Sequence, residues 1–174
     1  MRTFTRFLPN SARTLLILLW GGLCCMMFAA PILAAHTKYP TLTAVLYLFF
    51  SPICHQIPER SFSLLGRTLT VCHRCTGIYL GLFLGSLISF DSRLPASPLA
   101  RRIWILGAAA PLLLDVALPS FGVWTNGSVS RFTTGLIFGA MLASLLLAGV
   151  AELTDGVTEK WQRFQASDIK GGIS

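Results

Sequence analysis

Apolar residues run in long uncharged blocks along this chain, from Thr14 to Ala35, Tyr39 to Ile57, Cys75 to Phe90 and Phe132 to Ala151. A further block, Ile103 to Leu118, is interrupted only by Asp115. Crossing roughly 30 Å of hydrocarbon takes about 20 residues of helix. The first and last blocks meet that length outright, and the block after Arg74 meets it if the helix begins inside the preceding cysteine-rich stretch. The block from Tyr39 opens Tyr39-Pro40 and carries Ser51-Pro52 near its end, so it spans, breaks or re-enters. The pattern predicts an all-α, polytopic transmembrane bundle of four to five helices over residues 14–151. A basic segment, 1–13, precedes it, and a polar tail, 152–174, follows as a short amphipathic or irregular extension.

Composition agrees with this reading. Of 174 residues, 53% are hydrophobic and only 12% charged, with a mean hydropathy of +0.66. Soluble domains carry about 25% charged residues. The lipid bilayer is thus the expected partner, and nothing in the chain identifies a protein partner. The net charge of +7 does not signal nucleic acid, because the arginines stand at block ends, as topology determinants do, and form no continuous basic face. Arg2, Arg6 and Arg13 ahead of the first block invite comparison with a signal peptide. The block exceeds the usual apolar core of about 7–15 residues, so a retained first helix is expected. The stretches from Asp91 to Arg102 and from Pro119 to Ser130 are polar turns.

One feature departs from simple lipid packing. Residues 76–87 align without gaps on residues 134–145, sharing the Thr-Gly start, a second glycine, a leucine, a serine and a final leucine. Arg74 and Arg131 precede the two copies. This reads either as a duplicated helical hairpin, with the copies running in parallel beside an N-terminal helix, or as composition bias shared by two membrane helices. Gly77, Gly81 and Gly85 fall on one helical stripe, as do Gly135, Gly139 and Ala143. Such small-residue stripes let membrane helices approach backbone to backbone. We expect these two helices to pack through them.

The chemistry concentrates in Cys54-His55-Gln56 and in Cys72-His73-Arg74-Cys75-Thr76-Gly77. Cys72 and Cys75 form a C-x-x-C at a helix start, where the sulfurs face one way and the helix N-terminus favours the thiolate. Cys54 and His55 bring a third thiol and an imidazole from the neighbouring block. Cys54, His55, Cys72 and Cys75 therefore make a candidate metal set, with zinc as the default and iron or copper as other candidates. His73 points away by helical geometry. A membrane thiol–disulfide oxidoreductase passing electrons to quinone is the competing reading, and a non-enzymatic scaffold stapled by a disulfide is the third. Cys24 and Cys25 lie mid-block and read as lipid-buried thiols or packing residues.

Asp115 inside an apolar block costs roughly 2.5–3.5 kcal/mol on insertion scales, so it needs a partner. Arg74 and Arg131, at the same membrane face as the cysteines, are the natural ones, and Gln56 adds a polar group there. With a re-entrant second block, nine basic residues fall opposite the cysteine face and five on it, which makes that face extracytoplasmic. With five spans the basic residues divide equally and give no orientation.

The string Cys54-His55-Gln56, Arg60-Ser61-Phe62, Gly66 and Cys72-x-Arg74-Cys75-Thr76-Gly77-x-Tyr79-x-Gly81 resembles a family of uncharacterised bacterial and archaeal membrane proteins, domain of unknown function 2085. Asp115, Arg131, Thr134 and Gly135 match its later motif, although the family's usual Asp-Gly is here Asp115-Val116. The resemblance covers roughly Ala44 to Ala148. It implies an integral membrane protein with a shared Cys/His/Arg/Asp site, and it implies no activity.

Overall fold

The computed structural model describes residues 4–36, 38–88, 97–122 and 125–171. Five helices carry most of the chain: α1 (Phe4–Ala35), α2 (Pro40–Phe50), α3 (His73–Leu87), α4 (Pro98–Ser120) and α5 (Ser128–Gly171). Among them, three are long and apolar enough to cross a membrane, over Arg13–Ala35, Arg102–Ser120 and Ser128–Val150. The turn expected from Asp91 lies largely outside the described residues.

The block from Tyr39 does not form a spanning helix. Pro40 starts α2 in the first helical position, where its missing N–H costs nothing. The helix then runs only 11 residues, about 16 Å. Only Phe50 in it is buried, against Met27 of α1. Ser51-Pro52 ends it within the bundle, short of a crossing.

A β-hairpin follows, which helical periodicity did not anticipate. Strands β1 (Ser61–Leu64) and β2 (Arg67–Cys72) pair antiparallel with Leu64 opposite Arg67 and Ser63 opposite Thr68. Leu65 and Gly66 close the turn, both in the left-handed region with φ of 53° and 72°. Two-residue hairpin turns of this hand suit glycine and asparagine, whereas leucine there carries a strain of about 1–2 kcal/mol. Leu65 is 62% exposed, so its side chain contributes little packing. Leu65→Asn is expected to stabilise the protein by about 1 kcal/mol, checked by thermal unfolding in detergent.

The seam between α3 and α5 organises the bundle. A Cβ added at Gly77 would strike the carbonyl oxygen of Phe132, at Gly81 that of Leu136, and at Gly85 that of Ala140 at 2.7 Å. From the other side, Gly135 lies against Arg74 O and Gly139 against Ile78 O. The partners advance together along both helices, so α3 and α5 run parallel. The approach is closer than any side chain permits, and dispersion and Cα–H···O contacts replace the missing hydrophobic drive.

α1 lies antiparallel to α3. Arg13, where the apolar span of α1 begins, donates from Nε to Ser86 O at 3.0 Å and from Nη2 to Leu87 O at 2.5 Å, closing the C-terminal end of α3. Toward its other end, Met27 packs with Phe50, Cys54, Leu69, Val71 and Cys72 in the main buried cluster. α1 continues eight residues past Met27, about 12 Å, so the cluster sits below the level of its end. α4 begins with Ser97, whose Oγ accepts from Ala100 N at 3.2 Å, and brings Asp115 to the first turn of α5. Beyond the apolar block α5 stays helical to Gly171, where the sequence suggested an amphipathic or irregular tail.

Candidate functional site

The end of α2 delivers the first thiol. Cys54 N donates to Phe50 O at 3.0 Å, extending the helical turn past Pro52. Gln56 then takes a left-handed φ of 51° and reverses the chain. Its side chain holds that reversal by donating from Nε2 to Tyr47 O at 2.7 Å. The Tyr47 hydroxyl in turn donates to Thr68 O and ties α2 to β2. The last residue of β2, Cys72, is also the N-cap of α3, and Cys75 follows in the first turn. The hairpin and two helix ends thus meet at three sulfurs.

The Sγ atoms of Cys54, Cys72 and Cys75 all lie within 4.8 Å of one another, and all three thiols are free. Cys54 and Cys72 are buried, and Cys75 is half-buried. Cys72 N donates to Cys54 Sγ at 3.1 Å, a contact that favours the thiolate. Hydrogen bonds from the Cys54 and Cys75 thiols hold the Cys72 thiol well below the ordinary range, and burial only partly opposes them. Thiolates bound tetrahedrally at about 2.3 Å from zinc stand about 3.8 Å apart, so a small closure of this triangle reaches coordination geometry.

His55 stands outside the triangle. It is exposed, and its Nδ1 accepts from Ile57 N at 3.1 Å. A neutral imidazole accepting at Nδ1 carries its proton on Nε2, so the ring can ligate only by releasing Ile57 N–H. His73 is 4% exposed, packs edge-on to Phe62 with ring centroids 4.3 Å apart, and leaves its Nδ1 without a partner.

Beside the thiols lies a polar network centred on Asp115, whose side chain is 3% exposed. Its Oδ2 accepts from Arg74 Nη2 at 2.5 Å and from Asn126 Nδ2 at 3.2 Å, and its Oδ1 accepts from Ser130 Oγ at 2.5 Å. Arg131 does not reach the carboxylate. It donates from Nε and Nη2 to Asn126 Oδ1, at 3.0 and 2.7 Å, so Asn126 bridges the second arginine to the aspartate. Asn126 and Ser130 are the members that sequence reasoning missed. An Asn-Gly pair reads as a turn, and nothing in the pattern marks the Asn126 side chain as turned inward. A cavity of about 360 Å³ opens over this network, bordered by His55, Arg60, Cys72, Arg74, Asp115 and Arg131 among others. Cys72 and the Asp115 network therefore share one opening.

A family profile described as a predicted membrane protein, DUF2085, matches residues 54–145, from the first thiol to the end of the second glycine stripe. An uncharacterized protein of Methanocaldococcus jannaschii is 33% identical over 107 residues, covering 61% of this chain and 69% of that one. An uncharacterized protein of Methanothermobacter thermautotrophicus is 40% identical over 97 residues, covering 55% of this chain and 86% of that one. No solved structure matches the chain significantly.

Proposed function

From the premise that this chain belongs to the DUF2085 family of predicted membrane proteins, we propose that it holds a metal ion at one face of a helical bundle. The observation that carries this reading is the meeting of Cys54, Cys72 and Cys75 within 4.8 Å. Three soft thiolates suit zinc first, and iron or copper by ligand type. The fourth position falls to His55, which borders the same cavity as Cys72 and swings in when Nδ1 gives up Ile57 N–H. The Cys72 N–H on Cys54 Sγ supports the reading further, since such contacts orient and stabilise metal-bound thiolates.

The test is elemental analysis of detergent-purified protein. One equivalent of metal is expected, lost in Cys72→Ser/Cys75→Ser and bound more weakly in His55→Ala. Metal retained in the double cysteine variant would sink the proposal. Unchanged affinity in His55→Ala would assign the fourth position to solvent or to a bound ligand.

The same triangle supports a second reading as a thiol–disulfide oxidoreductase. Oxidation of Cys72 and Cys75 to a disulfide gives up two electrons and two protons, for which a quinone is the fitting acceptor, and Cys54 stands close enough to resolve a mixed disulfide. Protein that is free of metal, with a Cys72–Cys75 disulfide turned over by quinone, favours this reading over the first.

We also propose that the thiol face is extracytoplasmic. Because α2 is too short to cross, the arrangement with nine basic residues opposite the thiols and five beside them is favoured. A membrane-impermeant label at Arg67→Cys, applied to intact cells, reads the side directly.

A further inference from the structure

The cavity over the Asp115 network has a charge balance that the metal reading leaves unused. Arg60, Arg74 and Arg131 border it with a single carboxylate, Asp115. That carboxylate is already engaged, because Arg74, Asn126 and Ser130 take up both of its oxygens. Two positive charges therefore remain unmatched by any carboxylate around one opening, the Cys72 sulfur being the other anionic group on its wall. Arg131 spends Nε and Nη2 on a neutral amide oxygen, and Arg60 is exposed, its guanidinium making no hydrogen bond or ion pair among the described residues. Arg74 Nε is buried without an acceptor.

The backbone adds to this field. Arg74 lies in the first turn of α3 and Arg131 in the first turn of α5. The parallel seam sets these two helix N-termini side by side. Each contributes roughly half a positive charge, and parallel neighbours add their fields where antiparallel ones cancel. Apart from the Cys72 sulfur and the His55 ring, which the metal reading already uses, a cation entering the cavity would meet only an aspartate that is already neutralised. Guanidinium forks match the planar and tetrahedral oxygens of carboxylates and phosphates.

We infer that this cavity binds a small oxyanion, the phosphate or carboxylate group of a ligand, held by Arg60 and Arg131 beside Cys72. The volume of about 360 Å³ admits more than a bare ion, at the lower end of pockets that take small organic molecules. The site does not depend on a metal, because its donors are arginines. In the intact protein the oxyanion belongs either to a free solute or to the headgroup of an anionic phospholipid reaching in from the bilayer.

The experiment titrates inorganic phosphate into the full-length protein in neutral detergent, with ionic strength fixed by chloride, and follows the thermal unfolding midpoint. A saturable rise is expected, with Arg60→Gln weakening phosphate by about tenfold and Arg60→Lys by less. Arg60 holds nothing else in place, so this variant keeps the fold. A second arm repeats the titration in nanodiscs with and without phosphatidylglycerol. Competition by the lipid assigns the site to a headgroup, its absence assigns it to a free solute, and both support the oxyanion. The third arm uses Cys72→Ser/Cys75→Ser. Phosphate binding that persists there separates this site from the metal, and binding lost there would mean that the anion had been a metal ligand and overturn the arginine assignment. No saturable response in the wild type, or an equal response in Arg60→Gln, overturns the proposal.

Discussion

Gly139→Ala is expected to destabilise the bundle by about 3 kcal/mol, at the upper end of the penalty for overpacking a filled interior. The added methyl has nowhere to go, since its position coincides with contact to the Ile78 carbonyl oxygen, a backbone atom that cannot rotate aside. Relief requires α3 and α5 to separate along the whole seam, which also opens the contacts at Gly77, Gly81 and Gly135. Gly149→Ala supplies the control, because nothing lies within 4 Å of a Cβ there and alanine is the better helix former. Unfolding midpoints in mixed detergent micelles would show a large loss for Gly139 and none for Gly149. Equal, small effects at both positions would mean that the seam is looser than this packing.

Asp115→Ala is expected to cost about 3 kcal/mol, the lower end of the loss on removing one partner of a buried ion pair, since Arg74 is 26% exposed and keeps some access to water. The loss has three parts. The Arg74 guanidinium forfeits its carboxylate, the Ser130 hydroxyl forfeits its acceptor, and the Asn126 amide loses one of two, keeping the Asp115 carbonyl oxygen at 2.6 Å. Adding Arg74→Gln to Asp115→Ala should therefore recover part of the stability, because the stranded charge goes with it. A double-mutant cycle in the same unfolding assay measures this coupling. Coupling near zero would mean that the two groups stabilise the bundle independently and that the ion pair has no role of its own.

Much of this arrangement was legible before any coordinates. The glycines repeat every fourth residue, so their common stripe follows from helical geometry alone, and the gapless match of residues 76–87 to 134–145 anticipated parallel neighbours. The three thiols were legible as a group because each closes or opens an apolar block. The hairpin between them was not. Its strands have only four and six residues, its turn is Leu-Gly, and β2 is buried from Leu69 to Cys72 on both faces, so no alternation marks it. The position of His55 was equally hidden. It depends on the left-handed turn at Gln56 and on a local N–H from Ile57, which spacing between residue types does not encode. The aspartate's need for a partner was evident from its cost in lipid, but the bridging by Asn126 depends on how a turn folds back.

The short length of α3 has a consequence for how the chain enters its membrane. Fifteen residues rise about 22 Å, less than the hydrocarbon thickness, and α3 is not among the helices long and apolar enough to cross alone. Membrane helices that insert on their own merits associate afterwards, but α3 lacks those merits and meets α5, 41 residues further along, backbone to backbone. Its place in the bilayer is thus borrowed from a span synthesised after it. The thiols at its head come together only once that span has arrived, which makes α3 and α5 together, and not α3 by itself, the unit that the membrane accepts.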